Sequence, residues 1–208
     1  MATLDGTLAE SRAVLEFWLQ DALTLGWPRA PEAIKRWFSG GAKLDAEIAQ
    51  RFGALTDEAL AGGLSHWEPH PLDRLALVIV LDQFTRNIHR GTAQAFAGDA
   101  RTQPLVLHAL GRGWDRQMPL AGRLFFYLPL GHAETLALQQ ECVRRMRGLL
   151  ADAGPENSKD VQASVDSAEE HRDIVARFGR FPHRNAALGR TSTGDERQFL
   201  QDGPRFGQ

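Results

Sequence analysis

The chain has 208 residues, 43% hydrophobic and 24% charged, with a formal net charge of -2 and an isoelectric point near 6.4. That is apolar material for one substantial core, which predicts a single globular domain over 1–208, while the weak net charge provides no basic field for a phosphate backbone and argues against a nucleic-acid partner. The longest apolar run, Leu75 to Leu81, falls far below the ~20 residues of a membrane span, and no basic flank precedes an apolar signal core at the N-terminus, so the expectation is a cytoplasmic protein with no membrane partner.

Helical periodicity runs through nearly the whole chain. Val14, Leu15, Trp18 and Leu19 share a face, and Ile34, Trp37 and Phe38 follow a Pro31 suited to a first helical turn, so two N-terminal helices are predicted. Their Phe17, Trp18 and Trp37 are suited either to a dimer face or to internal packing. Leu44, Ile48, Phe52 and Leu55 continue the pattern. Thr56 and Glu58 suggest a new turn, and hence one broken helix or two short ones before Gly62 and Gly63. Leu72 to Arg90, with Leu77, Leu81, Phe84 and Ile88 on one stripe and Gly91 as its stop, reads as the central buried helix. Ala93 to Gly111 is helical with a start or kink expected at Pro104.

Pro119 opens a short apolar helix that Pro129 should end or bend, and a further helix is expected from about His132 to Ala153. Residues 154–160 form the best linker, with Asn157 or Ser158 as caps for a helix over Val161 to Phe178. Thr193 and Glu196 fit a capping box for a last helix, and the tail 203–208 is expected to be loose or latched by Phe206. No segment alternates long enough to make a strand. The fold class is therefore all-α.

Three polar blocks interrupt the apolar pattern. In LDQFTRNIHRG, Asp82 and Arg86 stand four apart at the edge of the apolar stripe, with His89 and Arg90 one turn on, and Gln83 with Asn87 forms a neighbouring pair. In FGRFPHRNAALGR, His183, Arg184 and Asn185 follow Pro182, with Arg180 and Arg190 close by. Guanidinium forks and free amides at a helix start favour carboxylate or phosphate, and the same arginines also suit a structural network with acids such as Asp82. In FFYLPLGHAE, His132 and Glu134 follow an apolar helix, and His171 with Glu170 lies in EEHRDIVARF. A metal set from His132, Glu134 and His171 would need distant helices and lacks the HExxH spacing, so no metal or other cofactor is expected. Lone Cys142 excludes an internal disulfide and reads as a buried thiol. Phosphate-loop, dinucleotide, nucleophile-elbow and CxxC signatures are absent from the sequence.

These blocks, from VLEFW at Val14 to Phe199 and Leu200, resemble the DUF924 family of bacterial proteins of unknown function. The resemblance implies a tetratricopeptide-like arrangement of antiparallel helix pairs, either as a right-handed superhelix or as a compact bundle. LDQFTRN looks like the family's DQFPRN, with Thr85 where proline is usual, a change expected to remove a kink or turn.

The first functional expectation is a small anionic ligand or acidic peptide terminus held by Arg86, Arg90, Arg180 and Arg184 and oriented by Asn87 and Asn185. The alternative is an acid–base enzyme in which His183, His132 or His171 is the base and Asp82 or Glu134 its partner. A third is a scaffold for a protein partner or a homo-oligomer, bound through an exposed apolar groove.

Overall fold

The computed structural model describes residues 6–204, so the proposed Phe206 latch lies outside the described residues. Among the described residues eleven α-helices form an all-α bundle: α1 (Ala9–Leu19), α2 (Ala22–Leu25), α3 (Pro31–Ser39), α4 (Gly41–Leu60), α5 (Pro71–Ile79), α6 (Thr85–Ile88), α7 (Asp99–Gly111), α8 (Leu120–Gly131), α9 (Leu136–Asp152), α10 (Ser158–Phe178) and α11 (Gly194–Asp202). No strand occurs among the described residues, and no described helix is long and apolar enough to cross a membrane.

α5 is the axle. Every residue from Asp73 to Ile79 is buried, and α1, α7 and α8 pack around it while α9 pairs with α8 and with α10. The aromatic centre joins several elements. Trp18 of α1 meets Phe84 edge-on at 5.6 Å and Phe125 of α8 at 5.4 Å, and Phe52 of α4 lies 5.0 Å from Phe84, separations at which edge and offset contacts add to plain burial. Phe17, Trp18 and Trp37 are buried within this chain. Trp37 also donates its indole N–H to Trp18 O at 2.7 Å.

Several boundaries differ from the expectation, each for a local reason. α4 is unbroken because the Thr56 hydroxyl, instead of opening a new turn, donates back to Phe52 O at 2.8 Å. Pro104 and Pro129 lie inside α7 and α8 without ending them. α10 starts at Ser158, so the connection from α9 is shorter than 154–160, and neither Asn157 nor Ser158 caps it; the Ser158 hydroxyl donates to Pro155 O instead. α9 starts at Leu136, which leaves His132 in the connection after α8. The Thr193–Glu196 capping box does form.

The largest departure is in the central helix. Residues Val80–Phe84 make a π-helical turn between α5 and α6. Both the backbone N–H and the hydroxyl of Thr85 reach Val80 O, five residues back. Thr85 therefore keeps the irregularity that it was expected to remove. A proline inside a regular helix costs about 3 kcal/mol, because it deletes one hydrogen bond and crowds the carbonyl four residues back. Here Thr85→Pro would delete both the N–H and the hydroxyl bond to Val80 O, so a loss of about 3 kcal/mol is expected. Chemical denaturation would measure it, and a variant as stable as the parent would contradict the reading.

Candidate functional site

π-helical turns widen the backbone locally and displace the residues that follow. This one lies where Asp82 faces α8. Asp82 is 1% exposed and takes three side-chain partners. Oδ1 accepts from His132 Nδ1 at 2.7 Å and lies 3.0 Å from Arg86 Nη1, while Oδ2 accepts from Gln83 Nε2 at 2.6 Å. Burial works to raise the Asp82 pKa, but Arg86 and His132 outweigh it and hold the carboxyl well below the usual range.

His132 is the other half of the pair. Nδ1 is committed to Asp82, and Nε2 has no hydrogen-bond partner among the described residues. The side chain keeps 16% of its surface open. Burial and the nearby Arg86 charge push its pKa down against the pull of Asp82, so the ring is held neutral at physiological pH. With the proton on Nδ1 facing a carboxylate, the lone pair is on Nε2.

Asp99, at the start of α7, completes the charge balance. Arg86 Nη2 donates to both of its carboxylate oxygens at 2.8 and 3.1 Å, and Arg184 reaches it at 3.4 Å. What brings Asp99 here is Gly98. A Cβ at that position would stand 2.0 Å from Leu81 O, so the backbone of the π-helical turn and the start of α7 touch where only glycine fits.

The C-terminal segment covers this arrangement. Glycine at position 179, at φ 69, ends α10 and turns the chain back. The Phe181 ring then packs 5.5 Å from His171, which lies 6.3 Å from His132, and 5.4 Å from His183. Glu134 anchors the segment by accepting the Phe181 N–H at 2.8 Å and both arms of Arg190 at 2.6 and 2.9 Å. Burial opposes ionisation of Glu134, and these bonds overcome it to keep its pKa low. Arg190 passes the chain of bonds to Asn185, and Asn185 to Glu196, which Arg180 grips at 2.6 and 2.8 Å.

The structure thus brings together Asp82, Arg86, His132, His171, His183 and Arg184, with Glu134 at their edge. It does not gather the four expected arginines. Arg90 is drawn to Asp45 of α4 at 2.9 Å, and Arg180 is spent on Glu196. Asn87 donates to Gln83 O, and Asn185 braces the C-terminal network, so neither reaches His132 through the bonds it makes. Sequence reasoning missed Asp99 and Phe96. Cys142 is buried and its thiol is pushed up to about 12 by that burial, which makes it unreactive. Among the described residues no group of three or more His, Cys, Asp or Glu converges as a metal site.

Residues 14–204 match the family described as bacterial proteins of unknown function, DUF924. The chain belongs to the DUF924 family. Among solved structures it is similar to ATU0120, a protein of unknown function from Agrobacterium tumefaciens, at 36% identity over 94% of this chain and 98% of that one, with a TM-score of 0.78. No curated protein matches the chain. The DUF924 blocks supply Asp82 and Arg86, His132 and Glu134, and His183 and Arg184, so three segments far apart in sequence meet at one place.

Two surface depressions lie elsewhere. One of about 700 Å³ is bordered by Leu23, His70, Asp73, Arg116 and Met118, and another of about 430 Å³ by Phe17, Arg36 and Arg51. Neither carries an oriented histidine–carboxylate pair.

Burial, reinforced by the nearby Arg184 charge, holds His171 down to about 3 and His183 down to about 4. In the unfolded chain both titrate near 6.5, so below that pH the unfolded state binds more protons and stability falls. The slope is at most about 1.4 kcal/mol per pH unit for each histidine. Thermal melts should be level above pH 7 and decline from pH 6.5 to 5, above the carboxylate range; a level curve throughout would contradict the placement of these rings.

Proposed function

We propose that this DUF924 protein is an acid–base enzyme in which His132 accepts and returns the proton and Asp82 orients it. One observation carries the reading: His132 Nδ1 is bound to a fully enclosed carboxylate at 2.7 Å, while Nε2 is left without a partner on a partly open ring. A carboxylate behind a histidine selects its tautomer and stabilises the imidazolium that forms during transfer. Arg86, bonded to both Asp82 and Asp99, keeps that carboxylate ionised. The reaction class is proton abstraction from, or activation of, a small molecule at Nε2; among the described residues no side-chain nucleophile is bonded to that nitrogen.

The purified protein should be screened against carbonyl compounds with acidic C–H bonds, esters, amides and phosphoesters, beside His132→Gln. Turnover is expected to fall by about 10² or more in the variant, as for loss of a positioned general base. Turnover that survives His132→Gln would refute the assignment.

A further inference from the structure

We propose that the His132 site takes a small anionic substrate whose carboxylate or phosphate is held by Arg184. This rests on the reading of His132 as the proton-transfer group, but the anion itself is held by separate atoms. Arg184 comes from the short 3-10 turn Pro182–Arg184 and is 5% exposed. Its guanidinium carbon lies 4.5 Å from the ring centre of Phe96 and 4.5 Å from that of Phe181. Aromatic faces fix the plane of the cation but supply no acceptor oxygen.

The donors of Arg184 are nearly idle. Among the described residues its side chain makes one hydrogen bond, from Nη1 to Asp99 at 3.4 Å, and Nε is enclosed without a partner. That contact is long for a charge-assisted bond, which ordinarily runs to about 2.7–2.9 Å, and Asp99 is already held by Arg86 at 2.8 and 3.1 Å. The other arginines of the motif blocks differ. Arg90 forks onto Asp45 at 2.9 and 3.0 Å, Arg180 onto Glu196 at 2.6 and 2.8 Å, and Arg190 onto Glu134 at 2.6 and 2.9 Å. A buried, rigidly stacked guanidinium without a carboxylate of its own is completed by an oxyanion from outside.

Independent features agree with this. Burial, with Arg86 adding to it, lowers the Arg184 pKa to about 10 against the pull of Asp99, Glu134 and Asp82. Phe181, which stacks on Arg184, also packs on His171, itself 6.3 Å from His132, so a run of ring contacts joins the guanidinium to the imidazole. His132 keeps 16% of its side-chain surface exposed, so the ring is not sealed off.

The test titrates the protein with sodium phosphate and, separately, sodium malonate, against sodium chloride at equal ionic strength. It follows the melting temperature and the Arg184 Nε–Hε resonance. Phosphate or malonate, whichever matches the substrate, is expected to raise the melting temperature by about 3 to 5 °C at tenfold excess over its dissociation constant. It should also shift the Arg184 resonance, with no such effect from chloride. Arg184→Met should abolish the rise. If that variant does not fold, Arg184→Lys decides, with binding expected to weaken about tenfold for the lost fork. A response equal to that of chloride, a still Arg184 resonance, or unaltered binding in Arg184→Lys would overturn the proposal. His132→Gln should keep the anion effect, so failure of anion binding and failure of proton transfer are read separately.

Discussion

Asp82→Asn is expected to destabilise the protein by about 3 to 5 kcal/mol, the cost of removing one partner from a buried, hydrogen-bonded ion pair. Asparagine has nearly the shape of aspartate, so no cavity opens and the loss is electrostatic. Arg86 would keep the backbone carbonyl of residue 82 but have Asp99 as its only carboxylate, which Arg184 also contacts, and the asparagine NH₂ would face either the Gln83 amide nitrogen or Arg86, both donors at those contacts. The melting temperature should drop by roughly 10 °C. Arg86→Met on top of Asp82→Asn is expected to recover part of the loss, because no buried guanidinium is then left short of the Asp82 carboxylate. A single variant as stable as the parent would mean that Asp82 is not the buried hub described above. Any turnover lost in Asp82→Asn should be compared with that lost in His132→Gln, since Asp82 acts through His132.

Gly98→Ala is expected to be nearly as costly, at about 3 kcal/mol, although it adds one methyl group at a helix start. The added Cβ would meet Leu81 O at 2.0 Å and Leu81 C at 2.8 Å, backbone atoms of the π-helical turn with no rotamer by which to give way. α7 must then retreat, carrying Asp99 from Arg86. The melting temperature should fall by roughly 6 to 12 °C. Gly53→Ala is the control: it lies inside α4 with nothing within 4 Å of its Cβ position. There the helix should gain about 0.5 to 1 kcal/mol. Equal responses at the two positions would contradict the close approach.

These two residues also show where the sequence is legible. Asp82, Arg86 and the histidines stand out because polar residues at the edge of an apolar stripe are few and costly, and spacing alone places Asp82 and Arg86 on one helix face. Helices were legible for the same reason: Leu77, Leu81 and Phe84 mark the core face, and Thr193 with Glu196 marks a start. The π-helical turn was not, because it adds no residue type of its own and only moves Thr85 N–H from one carbonyl to another. Asp99 stayed hidden because its role depends on Gly98 meeting Leu81, a contact between segments that no local pattern encodes. Partner choice was hidden likewise. Arg90, Arg180 and Arg184 look alike as sequence, yet Asp45 and Glu196 take the first two and two phenylalanines flank the third.

The most direct measurement is the ¹⁵N and ¹H resonances of the His132 imidazole near pH 7, assigned by comparison with His132→Gln. The account predicts a neutral ring protonated on Nδ1, with that proton shifted downfield by its bond to Asp82 and the shift lost in Asp82→Asn, and with a bare Nε2. A ring protonated on Nε2, or an Nδ1 signal indifferent to Asp82→Asn, would contradict it.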